Sequence, residues 1–232
     1  MIGSYLPAVR FVSTRGSAPA ASLGTALFDG LAPDGGLYVP ETWPKLRNVD
    51  RAAWMPFAAN TEDLLKHFVG DDIDSIDLQE DIEAAFKTFT PNEVIPLRRL
   101  GRGRVLLELF HGPTLAFKDV AMQLLSRLMD HALAARGERT TIVVATSGDT
   151  GGAAVEAFRG RERADLFVLF PKGRVSGIQR LMMTTAKDSN VHAIAVEGTF
   201  DDCQALVKGM FNHHAFRDRV RLSGVNSINW AR

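Results

Sequence analysis

Apolar residues recur at Phe117, Val120, Ala121, Leu124, Leu125, Leu128 and Ala132, one face of a 3.6-residue repeat. Gln123, Ser126, Arg127 and Asp130 fall on the other face, so the spacing predicts a helix near 117–135 with one polar side. From about residue 92 the rhythm alternates between strand and helix. The candidate strands are Val105–Leu109, Thr140–Ala145, Leu166–Phe170 and Val191–Val196, with further helices near 150–159, 175–186 and 200–212. Several of these strands are continuous apolar runs, the pattern of parallel strands covered on both faces. A βαβ series follows, and with it an α/β fold: a parallel sheet with flanking helices and right-handed crossovers.

Residues 1–80 read differently, as a small, mainly helical segment rich in turns. Phe11–Thr14 suits a short strand, and Ser22 can cap a helix through Leu31. Pro33-Asp-Gly-Gly36 ends that helix, and Leu37-Tyr-Val-Pro40 is extended because a residue before proline avoids the helical region. Two more helices are expected near 58–68 and 78–89. The division of the chain is therefore placed at 1–91 and 92–232.

Composition narrows the function classes. With 46% hydrophobic residues in 232, the chain can bury a sizeable core. Lys plus Arg equals Asp plus Glu at 27 each, so no net field draws it to nucleic acid or an anionic membrane. Basic residues cluster in Arg159-Gly-Arg-Glu-Arg163, but an acid is interspersed, as in a solvated loop. One cysteine, Cys203, cannot form an intramolecular disulfide and sits at a helix-core position, which fits a reducing compartment. No run is long enough to span a bilayer and the start lacks a signal-peptide pattern, so the cytoplasm is the expected location. The six histidines show no metal-ligand spacing, so no metal is expected.

Two stretches carry candidate chemistry. In His111-Gly-Pro-Thr-Leu-Ala-Phe-Lys-Asp119, Lys118 opens the predicted helix, where the positive end of the helix dipole gives a cation no support. An amine among apolar neighbours and positive potential loses its proton more readily and can attack a carbonyl. A surface lysine in a first helical turn is the plainer alternative. In Thr146-Ser-Gly-Asp-Thr-Gly-Gly152, small residues leave a strand and open a helix whose free N–H groups can meet an anion. The stretch lacks the lysine of a P-loop and the glycine spacing of a dinucleotide fingerprint. A tight turn capped by Ser147 or Asp149 explains the composition nearly as well. Taken together, a nucleophilic lysine and an anion-binding turn at one sheet edge suit an amino-acid substrate held by its carboxylate and processed through a lysine Schiff base with pyridoxal phosphate.

The two motifs resemble the signatures of threonine synthases, a branch of the β-family (tryptophan-synthase-like) pyridoxal-phosphate enzymes. Gly30-Leu-Ala-Pro-Asp-Gly-Gly-Leu-Tyr-Val-Pro40, Pro171-Lys-Gly-Arg-Val-Ser176 with Gln179-Arg180, Glu197-Gly-Thr-Phe-Asp-Asp-Cys-Gln204 and Asn226-Ser-Ile-Asn-Trp-Ala-Arg232 are similar to further segments of that family. The resemblance implies half of a fold-type II pyridoxal-phosphate enzyme. It further implies conversion of O-phospho-L-homoserine and water to L-threonine and phosphate. By it, Lys118 would hold pyridoxal 5'-phosphate and move protons at Cα and Cβ of the substrate. Thr146, Ser147, Gly148, Thr150 and Gly151 would bind the substrate carboxylate. Asp149 would face the cofactor's 3-hydroxyl, where relatives often carry asparagine, with one proton shared between the two.

Lys172 and Arg174 could meet an anionic substrate group or be solvated loop charges. His111 is a candidate close to the chemistry, and His213-His214 are expected at the surface. Gly177 stands where the family commonly has proline, and Leu181-Met182 where it has a polar pair. Family members continue beyond the point matching Arg232 with a second α/β half that carries a phosphate cup. The 232-residue chain alone is therefore expected to bind the cofactor weakly and turn over little. Threonine or serine dehydratase chemistry is the runner-up, and a catalytically silent ligand-binding protein is the reading from another class.

Overall fold

Phe11–Ser13 (β1) and Tyr38–Pro40 (β2) pair antiparallel, with Phe11 opposite Pro40 and Ser13 opposite Tyr38. Between them lies a helix, Leu23–Asp29 (α1), which starts where the Ser22 hydroxyl accepts the Thr25 N–H at 3.4 Å. The structure, a computed structural model, describes residues 9–45, 55–90, 93–225 and 231. The Asn226–Arg232 motif lies almost wholly outside them, as does the 91/92 division. By contacts the chain separates into two units, with the break between Ala85 and Phe86.

In the first unit, Phe57–Val69 (α2) and Ser75–Phe86 (α3) follow the predicted helices to within three residues at each end. Phe11, Leu27, Tyr38, Phe68, Leu78 and Ile82 are buried there. Asp34, in the turn before β2, accepts the Ser13 hydroxyl at 2.6 Å and the N–H groups of Gly36, Ser17 and Ala18. Those bonds, the Ser13 hydroxyl first, pull its carboxyl down to about 2. Gly36 has no room for a Cβ, because the Ser13 hydroxyl occupies that space.

The second unit begins with a hairpin where one strand of the parallel sheet is expected. Leu97–Gly101 (β3) and Arg104–Leu107 (β4) form an antiparallel hairpin of their own, with every residue exposed, and β4 does not join the parallel sheet. Gly101, Arg102 and Gly103 all have positive φ (85°, 47° and 74°), which closes the chain sharply enough to pair its flanks locally.

Lys118–Arg136 (α4) leads to Thr140–Ala145 (β5), then Asp149–Phe158 (α5), Ala164–Pro171 (β6), Gly177–Thr184 (α6), Val191–Val196 (β7), Phe200–Asn212 (α7), His214–Val220 (α8) and Leu222–Ser223 (β8). The sheet order is β7-β6-β5-β8, and every pairing is parallel. β5 and β6 run in register from Thr140 opposite Ala164 to Ala145 opposite Leu169. This is the predicted α/β architecture, with β8 an addition too short to show a pattern. Ile142, Val144, Leu166 and Val168 of the central strands are at most 1% exposed. Each such side chain contributes about 1.5–3 kcal/mol on burial.

Helix α4 departs from its predicted polar face. Gln123 and Ser126 are buried, and Arg127 and Asp130 are half-buried. The amphipathic reading assumes water along one side, whereas this helix is covered around most of its girth. The Ser126 hydroxyl donates to the Gln123 carbonyl within the helix at 3.2 Å, so its burial leaves it a partner.

Asn190, just before β7, fastens the end of α5 to the start of β6. Its amide nitrogen donates to the carbonyls of Phe158, Arg161 and Ala164, and its amide oxygen accepts the Gly160 N–H.

Candidate active site

Helix α4 enters β5 from the sheet's amino-terminal side and α5 leaves from its carboxyl end. Both helices therefore run antiparallel to β5, and they pack on each other. Their N-termini, with Lys118 on one and Thr146–Gly151 before the other, lie at the carboxyl edge of the sheet. In open parallel sheets this edge is where ligands bind.

The loop before α4 is shaped by Asp119. Its carboxylate, fully buried, accepts the Thr114 N–H at 2.8 Å and the Thr114 hydroxyl at 2.7 Å. Gly112 packs directly on that carboxylate, which leaves no space for a Cβ. Burial pushes the Asp119 carboxyl up, against the lowering effect of the Thr114 bonds. Leu115 turns the chain with φ of 59° and stands exposed beside Pro113. The loop thus reaches Lys118 along a path fixed from within. Lys118 is half-buried, and its Nζ lies 4.2 Å from the centroid of the Phe117 ring. A ring face attracts an ammonium there. Among the described residues Lys118 forms no ion pair. His111 stacks on Phe110, and its Nε2 lies 2.8 Å from Glu108 Oε2, with Arg98 on the same carboxylate at 3.5 Å.

The second turn is built around Thr146, which is buried. Its hydroxyl oxygen accepts the N–H groups of Gly148 and Gly151, each at 2.9 Å, so it draws the turn tight from inside. Gly151 lies against Met183, Val168 and the Thr146 methyl, where a side chain would collide. Gly148 adopts φ 149° and ψ −81°, a conformation that L side chains rarely enter. The N–H groups of Ser147, Asp149 and Thr150 find no acceptor among the described residues. Ser147 and Asp149 are exposed and Thr150 is half-exposed. Three free donors at the start of a ten-residue helix suit an anion.

A contact absent from the sequence reading links this turn to α6. Gln179 Nε2 donates to Asp149 Oδ1 at 2.7 Å. Of the other candidates, Lys172 is paired with Glu197, and both are exposed. Arg174 lies near Asp202, whose carboxyl is lowered chiefly by the Thr199 N–H and hydroxyl. Cys203 is fully buried and burial raises its thiol, as befits a core residue. His213 is exposed and caps α8 through Nδ1, which accepts the Phe216 N–H at 3.1 Å. A mainly apolar groove of about 900 Å³, bordered by Val196, Leu206, Met210 and Phe216, contains neither Lys118 nor the Thr146 turn.

A family model described as "Threonine synthase N terminus" matches residues 10–86. Threonine synthase of Pseudomonas aeruginosa is 49% identical over 226 residues, which cover 97% of this chain and 48% of that protein. The crystal structure titled as PLP-bound threonine synthase from Brucella melitensis superposes with a TM-score of 0.91 at 53% identity, over 97% of this chain and 49% of that one.

Over nearly its whole length the chain is similar to about half of a threonine synthase.

Yeast threonine synthase gives a TM-score of 0.89 at 38% identity, and the human protein named threonine synthase-like 2 is 41% identical over 225 residues. The chain spans about half the length of the relatives it matches. The likeness to a PLP-bound structure allows a test of fit to a pyridoxal phosphate. An unpaired amine at the edge of a parallel sheet, a turn without Cβ atoms at Gly148 and Gly151, and three unclaimed N–H donors form a compatible set. Two groups that sequence reasoning left without a role emerge here, Asp119 and Gln179. Asp119 carried no local signal, since its bonds to Thr114 do not have the three-residue spacing of a capping box. Gln179 stood within a family-like segment, but nothing in its spacing pointed to Asp149.

Proposed function

We propose that the chain supplies the lysine-bearing half of a pyridoxal-phosphate-dependent threonine synthase, acting on O-phospho-L-homoserine and water to give L-threonine and phosphate. What supports the reading is that α4 and α5 pack on each other and both run antiparallel to β5, which puts the start of each helix, with Lys118 and the Thr146–Gly151 turn, toward the same edge of the sheet. Lys118 Nζ would hold the cofactor's aldehyde carbon, and when released would carry protons at Cα and Cβ of the substrate. Ser147 and Thr150 would orient the substrate carboxylate through backbone N–H groups, while Gly148 and Gly151, whose own N–H groups are taken by Thr146, would let it approach without a Cβ in the way. The part of Thr146 is indirect, because its hydroxyl is engaged with Gly148 and Gly151. Asp149 Oδ2 would face the ring hydroxyl. When bound, the cofactor supplies the electron sink, which leaves the protein orientation and proton placement.

The test is borohydride reduction of the full chain with excess pyridoxal phosphate, followed by peptide mass spectrometry. Modification concentrated on Lys118 and absent from Lys118→Ala is the expected result. Labelling spread evenly over the surface lysines would overturn the reading. On reconstituted enzyme, phosphate released from O-phospho-L-homoserine, as opposed to ammonia released from threonine, separates synthase from dehydratase chemistry.

A further inference from the structure

We infer that Gln179 is a positioning residue that fixes which oxygen of Asp149 is presented to the cofactor's ring hydroxyl; the inference rests on the cofactor reading above. The Gln179 side chain is held at both ends. Its Oε1 accepts the Ser176 N–H at 3.2 Å, and its own N–H donates to Ser176 Oγ at 3.2 Å, forming a capping box that opens α6. With Oε1 committed to a donor, the amide cannot flip without setting Nε2 against another N–H. Nε2 must therefore point the other way, and there it meets Asp149 Oδ1 at 2.7 Å. Gly148 makes this approach possible, because the Gln179 amide fills the space where its Cβ would stand. Asp149 Oδ2 has no partner among the described residues, so it is the oxygen left for a second hydrogen bond. The start of α6 thereby reaches across to set the orientation of a carboxylate at the start of α5.

The experiment compares wild type, Gln179→Glu and Gln179→Leu. Gln179→Glu keeps an acceptor for the Ser176 N–H, and with it the capping box, but loses the donor to Asp149. With pyridoxal phosphate bound to the full chain, the pH midpoint of the cofactor absorbance should rise by about one unit or more in both variants. Ser176→Ala, which removes the acceptor of the Gln179 backbone N–H but leaves the side-chain donor to Asp149, should keep the wild-type absorbance midpoint, which separates positioning from a cap effect. Unchanged absorbance midpoints overturn the inference and leave the cofactor assignment standing. Absence of any cofactor band in wild type overturns the cofactor assignment and the ring-facing role together. Without cofactor, the side-chain amide signals of Gln179 in the ¹⁵N-labelled chain should move on Asp149→Ala. Signals that do not move overturn the contact itself.

Discussion

Asp119 shows how one buried carboxylate can serve a site without touching it. It binds both polar groups of Thr114, and Gly112 is pressed against it. Asp119→Ala strands a part-buried N–H and should cost about 1–3 kcal/mol in urea unfolding. Asp119→Asn keeps an acceptor for that N–H and should lose less than half as much. Asp34 makes a different prediction, through pH. Its carboxyl is ordinarily near 3.8 and is lowered to about 2 by the Ser13 hydroxyl and Gly36 N–H. A carboxyl lowered on folding adds stability above its unfolded value, and that stability disappears as pH falls toward the folded value. Thermal unfolding between about pH 5 and pH 2 should therefore drop less steeply in Asp34→Asn than in wild type. Asp119, raised mainly by burial, acts in the opposite sense, and its contribution weakens as pH rises past the unfolded value. The sequence could put forward Lys118, Asp149 and the glycines as candidates because each sits inside a local motif. It could not name the Gln179–Asp149 contact, which joins side chains thirty residues apart with no period to betray it.

At the scale of elements, the turn at Thr146 and the tie at Asn190 hold the two ends of α5. Gly148→Ala places a Cβ against the Gln179 amide at φ 149°. It should cost about 1–3 kcal/mol and diminish labelling of Lys118 by pyridoxal phosphate. Asn190→Ala removes four hydrogen bonds at the opposite end. It should lower the urea midpoint by the equivalent of about 3 kcal/mol while leaving the residues around Lys118 in place. Helices α4 to α7 were legible because a 3.6-residue apolar repeat is a strong signal in a long segment, whereas the seven-residue α8 was too short to show one. The buried state of Gln123 and Ser126 was not, because periodicity reports which face is most apolar and says nothing of whether the other is covered. β4 misled for a related reason: a short apolar run looks the same in a parallel core and in an exposed hairpin. The Gly101-Arg102-Gly103 turn was the available clue.

At the scale of the molecule, the parallel α/β architecture was readable from the alternation of strand and helix, whereas the order of the strands was not. β8 was not, since two residues carry no pattern. Among the described residues β7 pairs only with β6, and Ile194 on it is exposed. An open strand edge is a template for another chain. Ile194→Lys is expected to reduce concentration-dependent light scattering without shifting the unfolding midpoint by more than about 0.5 kcal/mol.

The order of Lys118, β5 and the Thr146 turn along the chain has a kinetic consequence. The amine precedes β5 and the donors follow it, so both reach one edge of the sheet only when α4 and α5 have packed beside that strand and on each other. Refolding should then restore helical circular dichroism first and selective reactivity of the Lys118 amine afterwards, making a carbonyl trap added during renaturation a clock for sheet closure.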